Sequence, residues 1–201
     1  MRFWGKRLFD IFFSLLGLMV LLPFFLVIAL AIMLDSRGSI LYQQVRVGLN
    51  GCHFKVLKFR TMQMQSDGVL NITVGTHDSR ITRLGKVLRR FKLDELPQLV
   101  NVFWGEMSFV GPRPEVPKYV ALYTPKQLQV LQVKPGITDY ASIKYRNENA
   151  LLAKASNPEQ YYIDEVMPIK LGLNLFYVKN QSFILDIKLI IKTVIFIFVG
   201  D

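Results

Sequence analysis

The chain has little to build a metal or disulfide site from. One cysteine, Cys52, and two histidines are all that its 201 residues contain of the side chains that usually bind zinc. A His/Cys zinc site is excluded on that count, and so is an internal disulfide. The lone thiol fits a reducing compartment or indifference to redox state. Acidic residues are also scarce: 15 Asp and Glu stand against 25 Lys and Arg, a net charge of +10. Such a balance points to an anionic partner, whether nucleic acid, phosphorylated substrate or anionic lipid. There is no RNA-binding aromatic motif, no basic helix repeat and no zinc-finger spacing. The glycines form no G-x-x-x-x-G-K-[ST] phosphate loop. Internal repeats and low-complexity linkers are missing too. These absences turn the reading away from nucleic acid and toward membrane and phosphate.

What the chain has in surplus is apolar residues, 51% of the total, concentrated at its two ends. Ile11 to Leu34 is a run of 24 residues without a charge, long enough to span a bilayer as a helix. It is too long for a cleavable signal, and apolarity on every face favours lipid over a protein core. Two features argue against a simple span. Pro23 sits near the middle, where it removes a backbone hydrogen bond. Basic residues flank both ends, with Arg2, Lys6 and Arg7 before and Arg37 and Arg46 after, and such flanks stay cytoplasmic. The expectation is a re-entrant helix broken at Pro23, leaving by the face it entered. Residues 1–36 are read as this anchor and residues 37–201 as one compact domain.

Ile40 to Phe59 predicts a β-hairpin around Asn50-Gly51. Met62 to Ser79 reads as a polar loop. Ile81 to Phe91 has helical spacing, and a second helix is expected from Asp94 to just before Gly105. Ser108 to Pro117 holds Pro112, Pro114 and Pro117 and reads as a stiff loop. Pro125 opens a short helix, Lys134 to Asn149 is a polar run, and Pro158 starts a longer helix through Tyr177. Ser182 to Val199 is the last helix, lying on a bilayer interface or serving as an ordinary core helix; the pattern allows both.

Leu93-Asp94-Glu95-Leu96-Pro97 is the segment most open to chemistry. Its bland reading makes Asp94 a helix N-cap and Glu95 a first-turn charge. Its functional reading makes Asp94 a nucleophile toward phosphorus, with Glu95 as base or metal-positioning partner. Arg89, Arg90 and Lys92 lie just upstream. Lys58-Phe59-Arg60-Thr61 and the Pro112-Arg113-Pro114 turn could each clamp phosphate. Tyr145-Arg146-Asn147 is a weaker candidate.

In this order the segments resemble one family, the small monotopic phosphoglycosyl transferases that begin bacterial glycan assembly on undecaprenyl phosphate. The resemblance rests on Lys6-Arg7-Leu8-Phe9-Asp10, Lys58-Phe59-Arg60-Thr61-Met62, Leu93-Asp94-Glu95-Leu96-Pro97-Gln98-Leu99 and Asn101-Val102. It continues through Met107-Ser108-Phe109-Val110-Gly111-Pro112-Arg113-Pro114 and Lys134-Pro135-Gly136-Ile137-Thr138, so it covers nearly the whole chain. The resemblance implies an α+β, mainly helical fold: a re-entrant membrane helix, a cytoplasmic domain with a small β-hairpin, and amphipathic helices at the interface. It implies a Mg²⁺-dependent, two-step reaction at the bacterial inner membrane. Asp94, also a metal ligand, would take a phosphosugar from a UDP-sugar, and undecaprenyl phosphate would accept it. Glu95 would assist. Lys58, Arg60, Thr61, Arg89, Arg113, Arg146 and Asn147 would bind substrate or support those that do. Membrane phospholipid is a further expected partner, and the sequence leaves a homo-oligomer open.

Two departures stand out. Many members place Ser-Pro at the helix break, where this chain has Leu22-Pro23. Many read Gly-Trp after Pro-Gly-Ile-Thr, where this chain has Asp139-Tyr140, and Lys144-Tyr145-Arg146-Asn147 replaces Asn-Gly-Arg-Asn. A non-catalytic binder of anionic lipid would explain the composition but not the Asp-Glu pair or the Pro-Arg-Pro turn. The catalytic end of a larger multi-span protein is disfavoured by the lack of apolar segments before Ile11.

Overall fold

The apolar N-terminal segment folds as one helix, α1 (Arg2–Asp35), with Pro23 inside it. The computed structural model describes residues 2–63, 80–145 and 148–199, and in it the chain is mainly helical, at 63%. Proline lacks one donor, which costs a helix one hydrogen bond but does not have to end it. Helical geometry therefore continues on both sides of Pro23 where the sequence suggested a break.

One stripe of α1 is covered along nearly its whole length. Asp10, Ser14, Ile28 and Ile32 are buried, with Gly17, Leu21 and Phe25 partly covered between them. Steps of three and four residues put these positions on one helical face. The opposite face, including Leu8, Phe12, Met19, Leu26, Leu30 and Leu34, is exposed and apolar. Among the described residues α1 is the one helix long and apolar enough to cross a membrane.

The covered stripe is held by polar contacts at its start. Lys6 donates to the Val110 carbonyl (2.8 Å), to Tyr177 Oη (2.9 Å) and to Asp186 (2.6 Å). Arg7 donates to the Val102 and Phe103 carbonyls at 2.6 and 2.7 Å. Asp10 accepts from Ser108 Oγ and the Phe109 amide at 3.2 and 3.1 Å. At the other end Ile28 and Ile32 pack with Phe59 and Leu88.

The expected hairpin forms from β1 (Leu41–Val47) and β2 (His53–Phe59), paired antiparallel from Leu41↔Phe59 to Val47↔His53. Asn50 and Gly51 both take positive φ, 53° and 81°, as an Asn-Gly turn requires. Next come α2 (Arg83–Arg90), capped by Thr82 Oγ1 accepting from the Gly85 amide, and α3 (Gln98–Trp104). Asn101 is fully buried and joins α3 to β2: it accepts from the Leu57 amide and donates to the Lys55 carbonyl.

The stiff loop and the polar run of the sequence reading each conceal a short strand. β3 (Ser108–Val110) pairs in parallel with β4 (Gly136–Thr138), flanking a short helix α4 (Pro117–Val120). A 3-10 segment, Gln127–Gln132, replaces the helix expected after Pro125. α5 (Tyr140–Lys144) and α6 (Glu148–Leu152) follow. The long helix expected from Pro158 runs as α7 (Pro158–Tyr161), a π turn at Tyr162–Val166 and α8 (Met167–Asn180). α9 (Phe183–Val199) turns Asp186 and Leu189 inward and Phe183, Ile184, Ile191, Val194 and Ile195 outward. Most of the polar loop expected at Met62–Ser79 lies outside the described residues.

Candidate active site

Asp94 does not cap a helix. It lies in a single 3-10 turn, Leu93–Glu95, entered through Lys92 in the left-handed conformation (φ 56°) and separated from α3 by Leu96 and Pro97. The turn is anchored from below on α1. Leu93 packs on the cluster of Ile28, Ile32, Phe59 and Leu88. Four residues past the turn, Leu99 meets α1 at Gly17, where an added Cβ would come within 3.2 Å of Leu99 Cδ1. Leu93 thus ties the turn into the cluster that α1 shares with β2 and α2.

The two carboxylates have opposite surroundings. Glu95 is buried and bound by two cations. Lys58 Nζ donates to its Oε1 at 2.9 Å, Arg113 Nη1 to its Oε2 at 3.2 Å, and Arg113 Nη2 to its Oε1. Asp94 is also buried, but its Oδ1 has no hydrogen-bond partner among the described residues. Burial pushes the Asp94 carboxyl above the ordinary aspartate range, and adjacent Glu95 pushes it further, against Lys58, Lys92 and Arg89. Burial also works to raise Glu95, but Arg113 and Lys58 together hold it well below the glutamate range. Burial depresses Lys58 despite Glu95, while Glu95 raises Arg113. Paired acids with divergent environments are a usual arrangement for two carboxylates with different tasks.

Arg113 is aimed by its backbone. Its amide donates to Asp139 Oδ2 at 3.1 Å, and Asp139 Oδ1 caps α5 by accepting from the Ser142 amide at 2.5 Å. Asp139 is fully buried. Gly111 and Gly136 touch back to back where β3 meets β4: a Cβ on Gly136 would lie 2.1 Å from the Gly111 nitrogen. Arg89 Nε donates to Thr61 Oγ1 at 2.8 Å. A Cβ on Gly85 would lie 2.2 Å from the Thr61 carbonyl, so α2 and the end of β2 are locked together.

Of the residues singled out in the sequence, Asp94, Glu95, Lys58 and Arg113 form one contiguous cluster. Arg89 and Thr61 border it as a bonded pair. Arg60 points elsewhere: its Nη2 donates to the Ser36 carbonyl and Oγ at 2.5 and 3.1 Å. Arg146 and Asn147 lie outside the described residues. The sequence reading gave Asp139 no role beyond marking a departure from the family pattern. Its signal, an acid three residues before a serine at a helix start, is the ordinary cap pattern.

No group of three acidic, His or Cys side chains converges among the described residues. One partnerless carboxylate oxygen at Asp94 still suits magnesium, which is commonly held by one or two carboxylates together with substrate phosphates.

The chain matches the bacterial sugar transferase family over residues 1–200. It is 39% identical over 194 residues to a UDP-glucose:undecaprenyl-phosphate glucose-1-phosphate transferase of Klebsiella pneumoniae, covering 94% of this chain and 39% of that one. An uncharacterized sugar transferase of Bacillus subtilis (strain 168) is 38% identical over 189 residues, covering 94% and 85%. An exopolysaccharide production protein of Rhizobium leguminosarum bv. phaseoli is 40% identical over 198 residues, covering 94% and 93%. The chain therefore spans about two fifths of some relatives and nearly all of others. It belongs to the bacterial sugar transferase family.

Proposed function

We propose that the chain transfers a sugar-1-phosphate from a UDP-sugar to undecaprenyl phosphate, releasing UMP, on the cytoplasmic face of a bacterial inner membrane. The supporting observation is Asp94: a buried carboxylate oxygen without a partner among the described residues, on a turn whose Leu93 packs with Ile28 and Ile32 of the apolar helix. A water-soluble donor and a lipid acceptor must both reach one nucleophile, and a turn at that height serves both.

Asp94 attacks the phosphorus that carries the sugar. The bond from that phosphorus to the bridging oxygen breaks, and UMP leaves with the oxygen and its electron pair. The sugar phosphate stays on Asp94 as an acyl phosphate. An oxygen of the lipid phosphate then attacks the same phosphorus, releasing the Asp94 carboxylate and giving the lipid diphosphosugar. Desolvation makes Asp94 the more reactive of the two acids once it is ionised. Glu95, held ionised by Arg113 and Lys58, positions those two cations for the diphosphate. Magnesium, held by Asp94 and donor phosphates, would offset the charge that develops on the leaving UMP. The outward faces of α1 and α9 are the surfaces that would contact phospholipid.

UDP-glucose is the first donor to test, since several relatives are named for glucose-1-phosphate transfer from it. UMP release is measured with undecaprenyl phosphate over a UDP-sugar panel. The wild type releases UMP with at least one donor, and Asp94→Asn releases none and traps no phosphosugar. Substantial turnover by Asp94→Asn removes the nucleophile assignment, and full turnover in excess EDTA removes magnesium.

A further inference from the structure

Arg46, near the end of β1, uses all three of its side-chain nitrogens. Nε and Nη2 donate to Gln44 Oε1 at 3.2 and 2.7 Å. Nη1 donates to the Pro114 carbonyl and to Glu115 Oε1, both at 3.1 Å. Pro114 and Glu115 immediately follow Arg113. The same stretch is pinned through the backbone, where the Val47 amide donates to the Glu115 carbonyl at 2.9 Å. Glu115 is also oriented from outside the hairpin. Its Oε2 accepts from the hydroxyl of Tyr162, which is buried in the π turn between α7 and α8. Turns of this kind are frequent at functional sites.

These contacts complete the support of Arg113. Asp139 holds its amide, and Arg46 holds the two residues after it. The hairpin therefore reaches Glu95 twice. β2 places Lys58 on Oε1 directly, and β1 holds the turn whose Arg113 takes both oxygens. Arg46 and Arg113 are near enough for their charges to oppose one another, and Glu115 lies against Arg46 as its counter-charge. With Glu115 spent on Arg46 and Tyr162, Arg113 keeps its fork for Glu95.

We propose that Arg46 is a positioning residue: with Glu115 and Tyr162 it fixes the Pro112-Arg113-Pro114 turn so that Arg113 grips Glu95. Its value to catalysis rests on the function proposed above; the grip itself does not.

The test is a set of double variants of the full chain in dodecyl maltoside micelles. Arg46→Lys keeps the charge and loses the fork that reaches Gln44, Pro114 and Glu115 together. Tyr162→Phe keeps the ring and loses the hydroxyl that orients Glu115. Neither changes a charge, so its coupling to Glu95 has to pass through the turn. Glu95→Gln lowers the unfolding temperature of the wild type. In either background that drop should shrink to about half or less, because Arg113 is already displaced. Equal drops in the wild type and in both variants overturn the proposal. Tyr162→Phe carries the test should Arg46→Lys fail to fold. With a donor that the wild type uses, kcat should fall about tenfold in each variant, more than the donor KM rises. An unchanged kcat in both overturns the proposal as well. A chain that releases no UMP with any UDP-sugar but shows the reduced Glu95→Gln drop refutes the catalytic reading and leaves Arg46 as the residue that sets Arg113.

Discussion

Arg113 grips Glu95 with both guanidinium nitrogens, Nη1 on Oε2 at 3.2 Å and Nη2 on Oε1, while Lys58 shares Oε1. Two cations on one carboxylate leave net positive charge beside Asp94, where a diphosphate has to sit. The arrangement explains how a chain with so few acids can spend two of them side by side: the first is already neutralised.

Arg113→Lys keeps the charge and loses the two-pronged grip, so kcat should fall at least tenfold with the fold intact. Glu95→Gln removes the anion from between two cations and should cost about 1–3 kcal/mol. That is less than the roughly 3–5 kcal/mol for breaking a fully buried pair, because Arg113 keeps 32% of its side chain exposed. The sign with pH follows from Glu95 being held below its ordinary value. Its contribution is present above the unfolded pKa of about 4.3 and is lost as pH falls through the depressed folded value. Thermal unfolding of wild type and Glu95→Gln should therefore converge in acid. A gap that persists or widens at low pH would contradict the ion-pair account.

Asp94→Asn should make the protein more stable as it makes it inactive. Burial and Glu95 both disfavour the charged form of Asp94, so its folded pKa lies above the unfolded one. Such a group's contribution is complete below the unfolded pKa and is lost as pH rises through the folded value. Asparagine removes that loss. The unfolding temperature should rise at pH 7, by about 2–4 °C for each kcal/mol relieved, and match wild type near pH 3. A variant destabilised at pH 7 would mean that Asp94 holds the turn together.

Asp139 should govern Arg113 without touching substrate. Both its oxygens accept backbone amides, from Arg113 and Ser142. Asp139→Asn turns one acceptor into a donor facing an N–H. The expected cost is about 2 kcal/mol of stability, through a lost cap and an unpaired amide. In the fraction that folds, kcat should fall more than the donor KM rises. An unchanged kcat would reduce Asp139 to a helix cap alone.

Local chemistry was legible in the sequence wherever one residue dictates geometry. Asn50-Gly51 announces the hairpin, and the spacing of Ile81, Leu84, Val87, Leu88 and Phe91 announces α2, although Val87 ends up exposed. The β3–β4 pair was not legible, since three-residue strands carry no alternation and their identity comes from Gly111 meeting Gly136 across the chain. Asp94 looked like a cap because caps and nucleophiles use the same side chain; only its orphaned oxygen separates them. The motif Lys6-Arg7 was read as a topology signal. Both side chains are in fact spent inside the protein, Lys6 on Asp186 and Tyr177 and Arg7 on the C-terminal carbonyls of α3. Arg46, from the other flank, is likewise paired with Glu115.

That reassignment takes the basic flanks out of the argument for topology. What bears on topology instead is contact between the helix and the domain. Asp10 is bonded to β3, while Ile28 and Ile32 pack on β2 and α2, and Ser36 is bonded to Arg60. From Asp10 to Ser36 a straight helix would run about 39 Å, more than a bilayer's hydrocarbon thickness. Both ends nevertheless reach one folded body, which cannot be on two sides of a membrane at once. In a Cys52→Ser background, Met1→Cys and Arg37→Cys should both resist a membrane-impermeant maleimide applied outside spheroplasts and react after lysis. Labelling of Met1→Cys from outside, with Arg37→Cys protected, would mean that α1 spans and that its contacts with the domain break in the bilayer.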